Sequence, residues 1–215
     1  AVFQGMGLSA GDAAEGADVL VMTDIRGVES HGANMLRSYV QQFRDGILNP
    51  SPHWHVVTDF PATSTIDADR ALSITLGRQF MNIAMEKARR LGVGVVTVSN
   101  SGHLGAVGHF AMIAAAEDMV GVCMTASSGG VGVLPTFGAE PRLGANPMSL
   151  AAPAGGEAPL LMDVSASIPI ANKVQLLREA GLPVPGGWIS DPSGTPIMEP
   201  VPAPEPGSYY HLPLG

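Results

Sequence analysis

The sequence predicts an α/β fold in which helices flank a mixed sheet. Strand-like and helical segments alternate between residues 62 and 126, which is typical of α/β domains. The runs at 93–98 and 120–125 are apolar and contain β-branched residues, so we expect strands buried on both faces. Hydrophobic residues make up 46% of the 215 residues and charged residues 14%, a composition that supports a sizeable core.

Helical periodicity and end signals predict the helices. Ser9, followed three residues later by Asp12, is typical of a capped helix start, and Gly46 is placed to end the second helix. The predicted helices cover residues 9–22, 33–44, 76–90, 106–119 and 167–180. In the last of them Pro169 is expected in the first turn, where a proline is tolerated.

Short apolar or alternating runs predict the strands. They cover residues 54–58, 62–67, 93–98, 120–125, 148–152 and 160–163. The polar residues at 67–70 predict a turn. The segment from 183 onward holds nine of the eighteen prolines, so we expect loop or extended structure there and not a core-forming region.

Charge and cysteine content narrow the function classes. The net charge is −8 and no large Lys/Arg cluster exists, which argues against a nucleic-acid partner. Cys123 is the single cysteine and cannot form an internal disulfide, so a reducing, cytoplasmic compartment is the default expectation. No run of eighteen apolar residues predicts a membrane span.

Two loops place a histidine among glycines and small polar residues. The loop at 24–32 contains Ser30 and His31, and the loop at 99–105 contains His103 directly after a predicted strand. Ligands of open α/β sheets bind at the carboxyl ends of strands, and histidine is suited to proton transfer near neutral pH. The alternatives are that His103 only caps the next helix and that His31 is a surface residue beside Ser30 as an N-cap.

Weaker site signals lie elsewhere in the chain. Asp163 ends a predicted strand, where its carboxylate could orient a histidine or cap the following helix. Arg142, close to Asn146, could bind a carboxylate through its guanidinium. His53 and His55 alternate in a predicted strand but lack a third ligand, so we expect no metal site.

The ordered motifs of the chain resemble a known family. Gly5, Gly7 and Ala10 have the spacing of the dinucleotide fingerprint, but no strand precedes them, which argues against an ordinary Rossmann fold. The matching motifs are DIRG at 24–27, SHG at 30–32, NSGHLG at 100–105, RLGANP at 142–147 and DVSAS at 163–167. Together they resemble the type 2 malate/L-lactate dehydrogenase family, which includes ureidoglycolate and sulfolactate dehydrogenases.

The resemblance implies hydride transfer between NAD or NADP and a 2-hydroxy or 2-oxo acid, on a non-Rossmann fold and usually in a homodimer. His103 matches the proton acceptor of several members, and Ser30, His31 and Asp163 match the relay of imine-reducing relatives. The cofactor contacts that it implies are Ser127, Gly105, Leu161, Met162 and Asp163.

One departure concerns the substrate. The family commonly has an arginine four residues after the loop histidine, where this chain has Met35, and the nearest arginine is Arg37. Arg37, Arg142 and Asn146 are therefore the candidate substrate-binding residues.

The resemblance also implies a division of the chain. We expect a helical segment with part of the substrate site at 1–60, an α/β cofactor-binding core at 61–182 and a Pro-rich segment at 183–215. Members of the family continue well beyond 215 residues, so we expect a part of a longer protein. The alternative functions are a cyclic imino-acid reductase on the same scaffold and a non-catalytic binding module.

Overall fold

The structure is a computed structural model that describes residues 1–126 and 132–214. The chain forms two compact units. The first comprises Ala1–Cys123 and Leu150–Met162, and the second comprises the described parts of Met124–Ser149 and Asp163–Gly215. The functional division at residues 60 and 182 stays a prediction. In the described ranges no helix is both long and apolar enough to cross a membrane.

Helices and strands alternate along the chain, as predicted for a mixed α/β fold. The helices are α1 (Val2–Gly5), α2 (Ala10–Ile25), α3 (Leu36–Arg44), α4 (Gly77–Leu91), α5 (Gly108–Ala115) and α6 (Ala171–Glu179). Three 3₁₀ turns cover Glu29–His31, Ala33–Met35 and Ser73–Thr75. The strands are β1 (His55–Asp59), β2 (Thr63–Ala71), β3 (Val95–Ser101), β4 (Gly121–Met124), β5 (Met148–Ala152), β6 (Leu160–Val164), β7 (Pro183–Val184), β8 (Ile189–Ser190), β9 (Val201–Pro202) and β10 (Tyr210–His211).

The predicted helix ends of the N-terminal segment are confirmed. The hydroxyl of Ser9 accepts the backbone N–H of Asp12 at 3.1 Å and so caps α2. Gly46 follows the end of α3 with a φ of +68°. These signals are local, which is why the sequence alone was sufficient to predict them.

The first sheet has the strand order β1-β2-β3. β1 pairs with β2 antiparallel, whereas β2 and β3 are parallel and are joined through α4. Parallel neighbours need such a crossover, and α4 packs its Phe80 against Ile66 of β2 and Val96 of β3. The chain therefore leaves the sheet at the carboxyl end of β3, two residues before His103.

The turn predicted at 67–70 is wrong, because β2 continues to Ala71. Its polar residues instead form an irregularity inside the strand, with positive φ at Asp69 and Arg70 and a shift of the β2–β3 register. The Asp67 carboxylate accepts the backbone N–H of Asp69 at 2.8 Å. The turn-forming chemistry is therefore present, but it bends the strand without ending it.

The expectation that β3 and β4 are buried on both faces is also wrong. β3 is an edge strand, and although Val96 packs under α4, Val95 and Val98 remain 46% and 37% exposed. In β4 only Gly121 is buried. An apolar run shows that a strand tolerates burial, but a second layer must exist to cover it.

The second sheet has the order β4-β5-β6. A small core of Ala111 and Ala115 from α5 and Ala151 from β5 packs against it, with Leu161 of β6 and Cys123 partly buried beside them. α5 is shorter than the predicted helix at 106–119, and Asp118 after it has a φ of +57°.

The second compact unit contains α6 and two short antiparallel strand pairs, β7 with β9 and β8 with β10. Pro169 lies before α6 and not in its first turn, since the N-cap is Ile170. The Pro-rich segment is extended as predicted, but it does form part of a core. Val184 and Ile189 are fully buried against Val174 of α6.

Candidate functional site

The loop that carries His31 is built on the end of α2. The Asp24 carboxylate accepts the backbone N–H of Ala33 at 2.9 Å. A Cβ atom at Gly32 would lie 1.6 Å from the Asp24 Oδ1, so only glycine fits beside this carboxylate. The prediction of one loop at 24–32 is wrong for Asp24, which belongs to α2 and holds the loop from there.

The loop that carries His103 is anchored through its main chain. The Gly102 N–H donates to the Ala71 carbonyl at 2.7 Å, and the Ser73 hydroxyl donates to the Gly102 carbonyl at 2.7 Å. Both partners come from the end of β2 and the turn after it. The position of His103 is therefore determined by the parallel β2–β3 pair.

The two predicted histidines meet in the first compact unit. The rings of His31 and His103 are stacked, with centroids 5.4 Å apart and planes 19° from parallel. The His103 Nδ1 lies 2.7 Å from the Tyr39 hydroxyl and accepts the Gly105 N–H at 3.3 Å. The His31 Nδ1 lies 3.1 Å from the Ser30 hydroxyl. Four of the predicted site residues, Ser30, His31, His103 and Gly105, thus lie together.

Tyr39 is a site residue that sequence reasoning missed. It lies in an apolar stripe of α3, a position typical of a core residue, and its side chain is indeed fully buried. The available signal was its hydroxyl, because a buried tyrosine hydroxyl generally needs a hydrogen-bond partner. Here that partner is His103.

Burial weakens the basicity of both imidazoles. It lowers the pKa of His31, and burial together with the charge of His31 lowers the pKa of His103 to about 4. Burial raises the pKa of the Tyr39 hydroxyl. At pH 7 the His103 ring is therefore neutral and Tyr39 keeps its proton.

We expect the low pKa of His103 to make folding sensitive to acid. A histidine of the unfolded chain binds a proton near pH 6.5, whereas His103 in the folded protein binds one only near pH 4. Between these values the unfolded state holds more protons, so the free energy of unfolding falls as the pH falls from 6.5 to 4. Above pH 6.5 this residue contributes no pH dependence. We expect His103→Gln to recover roughly 1–3 kcal/mol of the loss between pH 7 and pH 4.5.

Urea unfolding at both pH values measures this effect, and the exposed His53 offers the control His53→Gln. If the two variants lost the same stability on acidification as the unsubstituted protein, the assigned pKa of His103 would be wrong.

The alternative roles of the predicted site residues are not observed. His103 does not cap α5, whose N-cap is Val107, and Ser30 does not cap α3, whose N-cap is Met35. Asp163 is not the cap of α6 either. In the described part of the chain no group of three potential ligands contains His53 and His55, so a metal role for them gains no support.

The candidate substrate-binding residues lie on exposed surfaces. Arg37 lies on α3 two residues before Tyr39 and is exposed, which places it on a different side of the helix. In the second unit the exposed Arg142 forms an ion pair with Glu140, and Asn146 is exposed with a φ of +38°. Their role in substrate binding stays a prediction.

The candidate cofactor-binding residues are divided between loops and a strand edge. Leu161, Met162 and Asp163 lie in β6, which is at the edge of its sheet. Leu161 packs inward, whereas the side chains of Met162 and Asp163 are exposed. Such an edge offers backbone hydrogen-bonding groups and an apolar side chain, which fits the amide and flat ring of a nicotinamide. Ser127 lies outside the described residues.

Comparison with known proteins shows which sequences this chain resembles. Residues 1–215 match the sequence family described as malate/L-lactate dehydrogenase. The chain is 39% identical over 178 residues to a malate dehydrogenase of Pyrococcus abyssi, covering 83% of this chain and 48% of that protein. It is 32% identical over 209 residues to an NAD(+) ureidoglycolate dehydrogenase of Escherichia coli O157:H7, covering 94% of this chain and 59% of that one.

Solved structures give the same result for the fold. The crystal structure of malate dehydrogenase from Entamoeba histolytica superposes with a TM-score of 0.91 at 29% identity, covering 100% of this chain and 60% of the other. The chain spans about half to 60% of the length of these proteins. With a match along its whole length, the chain belongs to the malate/L-lactate dehydrogenase family.

Proposed function

We propose that the protein is an NAD(P)-dependent oxidoreductase that interconverts a small 2-hydroxy acid and its 2-oxo acid. The observation that carries the proposal is the stacked pair of His31 and His103 on two anchored loops. Two partly buried imidazoles side by side can serve one substrate oxygen with a proton and a hydrogen bond. The malate and ureidoglycolate dehydrogenases among the relatives support the hydroxy-acid class.

The reaction divides between the cofactor and the protein. When bound, the nicotinamide supplies or accepts the hydride. The substrate oxygen gains or loses one proton, and we assign this exchange and the orientation of the oxygen to His31 and His103. Ser30, 3.1 Å from the His31 Nδ1, is the first member of a proposed relay that also includes Asp163. Proton transfer of this kind typically contributes roughly 10²–10⁴-fold in rate.

Arginines and an asparagine are proposed to bind the substrate carboxylate. Arg37, Arg142 and Asn146 offer N–H donors, and a guanidinium can bind a carboxylate through two parallel hydrogen bonds. Met35, at the position where the family commonly has an arginine, is partly buried and packs against the core. We therefore assign carboxylate binding to donors at other positions of the chain.

The cofactor is proposed to be NAD or NADP on a non-Rossmann fold. Gly105, Leu161, Met162, Asp163 and Ser127 are the proposed contacts, and the exposed edge of β6 fits a flat ring. The name of the ureidoglycolate relative supports NAD(+). The proposal includes a homodimer in the cytoplasm and extends to lactate-like as well as malate-like acids.

Turnover by the purified protein tests the proposed function. Oxidation of NADH and of NADPH is followed by absorbance with oxaloacetate, pyruvate or Δ1-piperideine-2-carboxylate as the acceptor. We expect turnover with an oxo acid and little with the cyclic imine. Turnover with the imine alone would replace the proposal with an imino-acid reductase. A folded sample of the whole protein that oxidises neither cofactor with any acceptor would overturn it.

A further inference from the structure

The Nδ1 atom of His103 is in contact with two groups, and one of them can only donate. The Gly105 backbone N–H donates to it at 3.3 Å. A peptide nitrogen offers a proton but no available lone pair, so Nδ1 must provide the lone pair. The Nδ1 atom is therefore unprotonated in this arrangement.

The Tyr39 hydroxyl contacts the same nitrogen at 2.7 Å. A phenol can donate or accept, but an unprotonated Nδ1 has nothing to donate, so Tyr39 is the donor. Its side chain is fully buried on α3, which holds the hydroxyl in place. The short distance makes it the stronger of the two contacts.

We infer that Tyr39 is a positioning residue that, together with the Gly105 amide, holds His103 as the Nε2–H tautomer and makes it a hydrogen-bond donor to the substrate oxygen. A neutral imidazole carries one ring proton, so an accepting Nδ1 leaves that proton on Nε2. Among the described residues no hydrogen bond occupies the Nε2 of His103. This nitrogen is therefore available to a ligand.

The tautomer determines what the neutral His103 ring can do. A neutral imidazole is a very weak acid, so His103 polarises the carbonyl oxygen of the oxo acid and retains its proton, a role known for neutral histidines in enzymes. The proton that the oxygen gains on reduction then comes from the imidazolium form of His31, which regains a proton from solvent. Burial lowers the pKa of His31, so this form is a minority at pH 7. The His31 Nδ1 faces a hydroxyl, Ser30, which can donate or accept and so tolerates both protonation states.

The tautomer of His103 can be measured without any turnover. Only the catalytic role that we infer from this tautomer rests on the proposed function. The protein is labelled with ¹⁵N in its imidazole rings, and long-range ¹H–¹⁵N spectra at pH 7.5 distinguish a protonated from an unprotonated ring nitrogen. We expect a protonated Nε2 and an unprotonated Nδ1 for His103, assigned by loss of its signals in His103→Gln. A protonated Nδ1 would overturn the inference even if the enzyme turned over as proposed.

Tyr39→Phe tests the role of the tyrosine itself. Without the hydroxyl, the His103 signals should move toward a mixture of tautomers. The pKa of His103 should rise, because a donor to its neutral form is lost. In turnover we expect kcat to fall about tenfold with little change in KM, and the acid limb of the pH–kcat profile to move to higher pH. A merely structural role would leave that limb in place.

Tyr209→Phe is the matched control. Tyr209 also lies beside a histidine, with its ring centroid 5.4 Å from that of His211, but it forms no hydrogen bond to that ring in the described structure. We expect it to change neither the His103 signals nor kcat. If Tyr39→Phe kept the tautomer and the pH profile of the unsubstituted protein, Tyr39 would not be a positioning residue, whatever its effect on stability.

Discussion

Replacing His103 with alanine is expected to lower kcat by roughly 10²–10⁴-fold while the protein stays folded. The ring is stacked on His31 and is held by Tyr39. The substitution removes the group that we propose to face the substrate oxygen. The loss is large whether His103 donates a hydrogen bond or exchanges a proton. The loop keeps its place, because its anchors at Gly102 are main-chain groups. Steady-state kinetics with the preferred oxo acid measure the effect.

The control for this experiment is His53→Ala. His53 is exposed, and its main-chain N–H, which the substitution keeps, donates to Asp69. We expect unchanged turnover and thermal unfolding close to that of the unsubstituted protein in this variant. His103→Ala leaves the buried Tyr39 hydroxyl without its partner, so it should unfold at a somewhat lower temperature but stay folded in the assay. A kcat for His103→Ala within about threefold of the original would remove His103 from the reaction.

The candidate site could be predicted in part because its signals are local. Glycines and small polar residues around His31 and His103 indicated two special loops, and the strand before His103 indicated the end of a sheet. What the sequence could not predict is the stacking of the two rings. That contact depends on how α2, α3 and the β2–β3 pair come together, which is a tertiary property.

Tyr39 shows why a positioning residue is difficult to recognise in a sequence. Its spacing with Leu36 and Phe43 is that of a core stripe, and all three do pack into the core. Only the hydrogen bond between its hydroxyl group and His103 distinguishes Tyr39 from an ordinary core residue. His103 lies on a loop 64 residues further along the chain. A tyrosine within an otherwise apolar stripe can indicate a positioning residue, because its buried hydroxyl needs a hydrogen-bond partner.

For the strands, the sequence predicted the positions but not the solvent exposure. Composition correctly predicted that residues 93–98 and 120–125 contain strands, since β-branched apolar runs favour extended structure. It did not predict their exposure, because burial of the second face depends on another layer. Val95 and Val122 remain exposed in the described structure for this reason.

Gly94→Ala is expected to destabilise the protein by at least about 3 kcal/mol. A Cβ atom at this position would lie 1.9 Å from the carbonyl oxygen of Ala84 and 2.9 Å from the backbone nitrogen of Ala88. Both atoms belong to the main chain of α4, so no side-chain rotation relieves the overlap. The helix and the start of β3 must separate. Urea unfolding, analysed by linear extrapolation, measures the loss.

Gly156→Ala is the matched control, because a Cβ atom there meets nothing within 4 Å. We expect its free energy of unfolding to lie within about 0.5 kcal/mol of the original. Equal stability of the two variants would mean that α4 and β3 do not approach as described. Gly94 also affects the site, because Val95 next to it begins the parallel pairing of β3 with β2. That pairing positions the His103 loop, so a soluble Gly94→Ala protein should lose turnover although its histidines are intact.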